Sequence, residues 1–141
     1  MKHVLELDPV WEQTLSQDQI AKYQAFLDRL PDTDGEFAAA PVLGKYKKNG
    51  GFVATVLLRN GLDSAIALNE IEVEVTDGQG SRLAFASFNP ELRISPGASM
   101  PWSFVFAPEA TILHEGGAPA DWKIHLAVKD KEQDAKMERS E

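Results

Sequence analysis

The sequence predicts an all-β protein: an immunoglobulin-like antiparallel β-sandwich with one N-terminal α-helix. Three observations lead there. Residues 50–108 alternate apolar and polar side chains in short runs, as half-buried strands do. Each run ends in Asn-Gly, Asp-Gly, Asn-Pro or Pro-Gly, the dipeptides of tight turns between antiparallel strands. Helical and strand patterns do not alternate, which argues against a parallel β/α sheet and for two packed antiparallel layers.

Taken in order, His3, Leu5 and Leu7 share one face of a first strand that stops at Asp8-Pro9, because proline lacks the ladder donor. Ser16, followed three residues later by Gln19, has the spacing of a capping box. From residue 17 to residue 30, Ile20, Tyr23, Phe26, Leu27 and Leu30 form one apolar stripe at helical spacing, and Pro31 ends it. Asp32-Thr33-Asp34-Gly35 is a turn by composition. Phe37–Tyr46 reads as a strand that Pro41 assigns to a sheet edge, and residues 45–51 as a basic hairpin tip.

Phe52, Ala54, Val56 and Leu58 fill one face of the next strand, and Val53, Thr55 and Leu57 the other. Apolar residues on both faces predict a central strand covered from both sides. Ile66 and Leu68 run in one phase, and Ile71, Val73 and Val75 in the opposite one, which predicts a bulge or bend near Asn69-Glu70. Asp77-Gly78-Gln79-Gly80 closes a hairpin onto residues 83–88. Leu92 and Ile94 make a short strand, and Trp102, Phe104 and Phe106 align on one inward face. After a loop over residues 109–121, Trp122, Ile124, Leu126 and Val128 form a last strand with Lys123 and His125 opposite. The domain is thus expected to span residues 1–128. Residues 129–141, charged in both signs, are expected to be a flexible tail.

Composition narrows the function. A net charge of −8 argues against nucleic acid as a partner. With no cysteine, thiol catalysis, disulfides and cysteine-ligated zinc are excluded. Glu6 and Asp8 interrupt the N-terminal apolar residues, and no later run is long enough to insert in a membrane. A cytoplasmic location is therefore expected.

Catalytic patterns are wanting. His3, His114 and His125 stand at no ligand spacing, which gives no metal or cofactor to expect. No serine lies in a nucleophile elbow or a Ser-x-x-Lys motif. Glu70, Glu72 and Glu74 alternate along one strand face and read as a solvated or edge-guarding face rather than as acid–base catalysts. The sequence therefore predicts a non-enzyme. Two residues stand out as partner-binding candidates. Trp11 lies in the link before the helix. Arg59, beside the Asn60-Gly61 corner, either anchors an acidic neighbour such as Asp63 or faces a partner.

Three stretches together carry a family resemblance. LDPVWEQTLSQDQIAKYQAFLDRLP resembles the opening of the SLAP domain, with its Pro-x-Trp, its Leu-Ser cap and a helix ended by Leu-Pro. LLRNGLDSAIALNEIEVEVTDGQG resembles the family's central Arg-Asn-Gly segment, and PGASMPWSFVFAP its Pro-Trp-x-Phe-x-Phe strand. The likeness runs from residue 3 to about residue 128 in the family's order. It implies a cytoplasmic accessory to the auxiliary Sec pathway by which Bacillus-type bacteria export S-layer proteins. It also implies no catalytic residues and no cofactor. The expected function is a protein-interaction domain in export or cell-surface assembly, its partner a secretion component or an exported client. The alternative expectation is a carbohydrate- or cell-wall-binding module that uses exposed aromatics.

Overall fold

Strands dominate the computed structural model, which describes residues 4–31, 35–114 and 116–129. Four of them form one sheet. β2 (Phe37–Tyr46) and β3 (Phe52–Asn60) make a hairpin, β3 pairs antiparallel with β8 (Ala98–Phe106), and β8 pairs with β1 (Val4–Leu5), giving the order β1-β8-β3-β2. A second sheet has the order β6-β5-β9, from β5 (Glu70–Thr76), β6 (Arg82–Phe88) and β9 (Lys123–Lys129). A two-stranded ladder joins β4 (Ile66–Leu68) to β7 (Leu92–Ile94).

The inward faces follow from register. Phe52, Ala54, Val56 and Leu58 of β3 stand opposite Phe106, Phe104, Trp102 and Met100 of β8. From the second sheet come Ile71, Val73 and Val75, with Ala84 and Ile124 beside them. These side chains form one apolar cluster, to which the small ladder adds Leu68, Leu92 and Ile94. Along one border β2 lies against β9, and along the other β8 lies against β6. Phe88 of β6 meets Phe104 and Phe106 of β8, with ring centroids 5.1 Å apart in each case.

Pro41 does sit on an edge strand, and the ladder with β3 shifts register between Pro41 and Leu43. An edge tolerates both a missing donor and an extra residue, so the sequence could assign it without knowing the neighbours. β3 is central, as its two apolar faces predict. In the β5–β6 turn, Asp77 Oδ1 accepts the Gln79 and Ser81 amides at 2.9 Å each, and Gly80 adopts φ 90°.

Several expectations need correction or refinement. One pairing is parallel: β1 reaches β8 from the N-terminus, so no hairpin enforces the antiparallel direction. β1 is also only two residues long, because Pro9 opens a helix where the sequence predicts a link. This α1 (Pro9–Thr14) is capped by Asp8, whose side chain accepts the Val10 amide at 3.0 Å. The protein thus has two N-terminal helices rather than one, and Asp-Pro was the available signal. The phase change expected as a bulge or bend is a bend at Asn69, not a bulge within one strand. The chain leaves the β4–β7 ladder and enters the β6-β5-β9 sheet, whose inward direction is opposite. Lastly, the Asn60-Gly61 corner, whose dipeptide reads as a tight turn, has neither residue in the left-handed region that such turns use. Of the expected tail over residues 129–141, Lys129 still belongs to β9, and residues 130–141, like residues 32–34 of the expected turn, fall outside the described residues.

α2 (Gln17–Asp28) carries the full capping box. Ser16 Oγ accepts the Gln19 amide at 3.1 Å, and Gln19 Oε1 accepts the Ser16 amide at 2.9 Å. It lies on the outer face of the four-stranded sheet. There Leu57, which points away from the inter-sheet cluster, is nevertheless fully buried. Leu27 is the fully buried residue of α2. Leu27→Ala is expected to cost about 2 kcal/mol, the low end for a buried leucine because a surface helix can settle into the gap. A urea midpoint unchanged by the substitution would show that the helix contributes no packing energy.

Candidate functional site

The outer face of the four-stranded sheet is covered unevenly. Cross-strand register arranges it in rows: Ala38, Arg59 and Ser99; then Ala40, Leu57 and Pro101; then Leu43, Thr55 and Ser103; then Lys45, Val53 and Val105. The first two rows lie under cover, with Leu57, Arg59 and Ser99 buried. The last two are covered only in part: Thr55 is buried and Val53 half-buried, but on the flanks Leu43, Lys45 and Val105 are open. Leu43 is 59% exposed and Val105 50%, both large apolar side chains on a sheet surface.

Between α2 and these partly open rows runs a groove of about 350 Å³. Gln19, Lys22, Tyr23 and Phe26 form its helical wall, and Val42, Leu43 and Thr55 its sheet wall. The helical residues recur at three, four and seven, so they share one face. On the sheet side, the register shift after Pro41 inserts Val42 as the extra residue, which places two apolar side chains in succession on this wall. Thr55 Oγ1 lies 2.8 Å from Ser103 Oγ, so the polar atoms of the floor satisfy each other. Burial raises the Tyr23 phenol above its ordinary pKa, leaving the wall uncharged there. The groove can take up apolar side chains beside a cationic rim.

Trp11 packs beside α2. Its indole stacks on Trp102 at 6.0 Å and 23°, and meets Tyr23 edge-on at 6.2 Å. Trp11 is therefore half-buried, and its ring joins α1, α2 and β8. Trp102, expected to be inside, is only half-buried because β8 lacks a neighbouring strand beyond Ser99 and Trp11 supplies its cover. Trp122 is buried, as expected. One face of the Trp11 indole is thus taken up by the protein's own Trp102 ring.

Arg59 is 4% exposed and engaged within the fold, which places it with internal ties rather than on a surface. Asn60 beside it is fully buried and is the more informative residue. Its Nδ2 donates to the carbonyls of Ser64 and Ile94 at 3.0 Å each and of Ser95 at 3.3 Å. Its Oδ1 accepts the Leu62 amide at 2.9 Å.

Chemistry-bearing groups stay apart. His114 Nδ1 lies 3.1 Å from the Gly117 carbonyl oxygen, and His125 Nε2 lies 3.5 Å from Thr76 Oγ1. Among the described residues no group of His, Asp and Glu comes close enough to hold a metal ion. No described helix is long and apolar enough to cross a membrane. Glu70, Glu72 and Glu74 lie on the outward face of the second sheet, where Glu74 is paired with Arg82 at 2.7 Å. Sequence reasoning named Tyr23 and Phe26 only as packing residues and did not single out Leu43. That Leu43 is left uncovered depends on how far α2 extends over the sheet, which no local pattern encodes.

No curated protein and no solved structure matches this chain. A family model does. It is described as the SLAP domain and matches residues 5–128, nearly the whole of the described chain. The Pro-x-Trp opening, the capped helix and the Pro-Trp strand all fall within that match, and the chain belongs to the SLAP domain family.

Proposed function

We propose that this protein is a non-enzymatic interaction domain that holds a protein partner in the groove between α2 and the four-stranded sheet. The observation that carries the reading is the pair of exposed apolar residues, Leu43 and Val105, on a sheet face that the helix covers elsewhere. Large apolar side chains left in water on either side of β3, one of them lining a preformed groove, favour an interaction site. Family membership supports a setting in protein export or cell-surface assembly, with a secretion component or an exported client as partner. The proposed location is the cytoplasm, which suits a chain without cysteine. The layering of the two sheets supports an immunoglobulin-like sandwich as the architecture.

The test is Leu43→Asp combined with Val105→Asp. Both sites are exposed, so each change is expected to alter stability by no more than about 0.5 kcal/mol. Capture of the native partner from a cell extract is expected to fall at least about tenfold, while melting is unchanged. Equal capture by the double variant and the parent would overturn the reading.

A further inference from the structure

We infer that the segment seated in this groove is an acidic peptide bearing large apolar side chains. This rests on the groove being the interaction site, and goes beyond it by naming the chemistry of the occupant.

Charge on the molecule is segregated. The chain is acidic, yet residues 37–62 contain Lys45, Lys47, Lys48 and Arg59 and no Asp or Glu. Residues 94–108, which include all of β8, carry no charged side chain. The sheet face beside the groove is built from these two stretches, so it presents lysines and no carboxylates. Lys45 shares the outer face with Leu43, one row further along, and Lys47 and Lys48 form the adjoining hairpin tip. Lys22 supplies a fourth cation from the helical wall. All four are exposed. Asp18, one turn before Lys22, is the carboxylate of α2 nearest the groove in sequence, and it belongs to the helix's first turn. Glu70, Glu72 and Glu74 point from the outward face of the other sheet, across the sandwich.

The shape selects among anionic partners. A cleft of this volume lies at the small end of those that hold a ligand, so it takes side chains of a segment rather than a folded domain. An anionic membrane is a poor match. A planar surface would meet the field of the whole molecule, whose net charge is −8, whereas a peptide lying in the groove meets the local lysines. Screening confines each interaction to about 8 Å at physiological ionic strength, which favours the local contact. The apolar walls require buried anchors, and the rim requires carboxylates beside them.

Selection from a random peptide display library on the intact protein tests this directly. The enriched peptides are expected to carry net negative charge and Leu, Ile or Phe. Their binding should weaken as salt rises, and by about tenfold when Lys45→Glu, Lys47→Glu and Lys48→Glu are combined. It should also be lost with Leu43→Asp. A pool that depends on Leu43 but is neutral or basic overturns the acidic partner and leaves the groove reading standing. A pool indifferent to Leu43→Asp, or no enrichment at all, overturns both. If phosphatidylglycerol vesicles bind the protein in a Leu43-dependent way while peptides do not enrich, the occupant is a lipid surface and the inference fails.

Discussion

Phe52→Ala is expected to lower stability by roughly 3–5 kcal/mol, a large share of the 5–15 kcal/mol typical of a whole domain. Phe52 is fully buried where four strands come together. Tyr46 of β2 meets its ring at 5.1 Å, nearly perpendicular, Phe106 of β8 lies at 6.5 Å, and Trp122 before β9 lies at 6.1 Å. Removing the ring opens a cavity among three other rings, which cannot all move inward without leaving their own contacts. The approach is already close: a Cβ on Gly44 would lie 2.8 Å from Phe52 Cζ and 3.0 Å from the Trp122 indole. Gly44→Ala should therefore also destabilise, through overpacking at the same spot. Urea unfolding monitored by tryptophan fluorescence reads both. A Phe52→Ala midpoint no lower than that of Leu27→Ala would show that this aromatic junction is not the main packing centre.

Asn60→Ala is expected to cost about 3 kcal/mol, because three carbonyls and one amide lose a buried partner at once. The loss is distributed over two connections. Ser64 and Leu62 belong to the segment leaving β3, whereas Ile94 and Ser95 lead into β8. The same turn is tied further by the Gly97 amide, which donates to the Asn60 carbonyl at 2.8 Å while Gly97 takes φ 74°. Glu6 adds the N-terminus to it, its carboxylate accepting the Ser95 amide at 3.0 Å and the Ser95 hydroxyl at 2.8 Å. Asn60→Asp sharpens the test. A carboxylate keeps the acceptor for Leu62 but has no hydrogen to donate, and it would face three carbonyl oxygens. It should destabilise at least as much as alanine. An Asn60→Asp protein as stable as the parent would mean that the side chain merely fills space.

The sequence determined most of the elements, because its signals there are local. The capping box at Ser16 and Gln19 forms as spaced, and Asp77 and Gly80 make the turn that their chemistry demands. Pro41 marks an edge and the two apolar faces of β3 mark a centre, since both conditions act on a strand whatever its neighbours are. The family, too, was legible in three short stretches, and the match over residues 5–128 agrees. The tertiary structure decided the rest. Which sheet receives β5 after Asn69 depends on partners far along the chain, so the phase change alone could not distinguish a bulge from a change of sheet. Asn60 looked like a turn residue, but its role is set by the carbonyls of Ile94 and Ser95, which only folding brings to it. The groove arises in the same way. Tyr23, Phe26, Val42 and Leu43 look like ordinary core residues in sequence, yet the first three are only half-buried and Leu43 is exposed, because α2 leaves part of the sheet face uncovered. Periodicity fixes which face of an element is apolar, but coverage of that face is a property of two elements together.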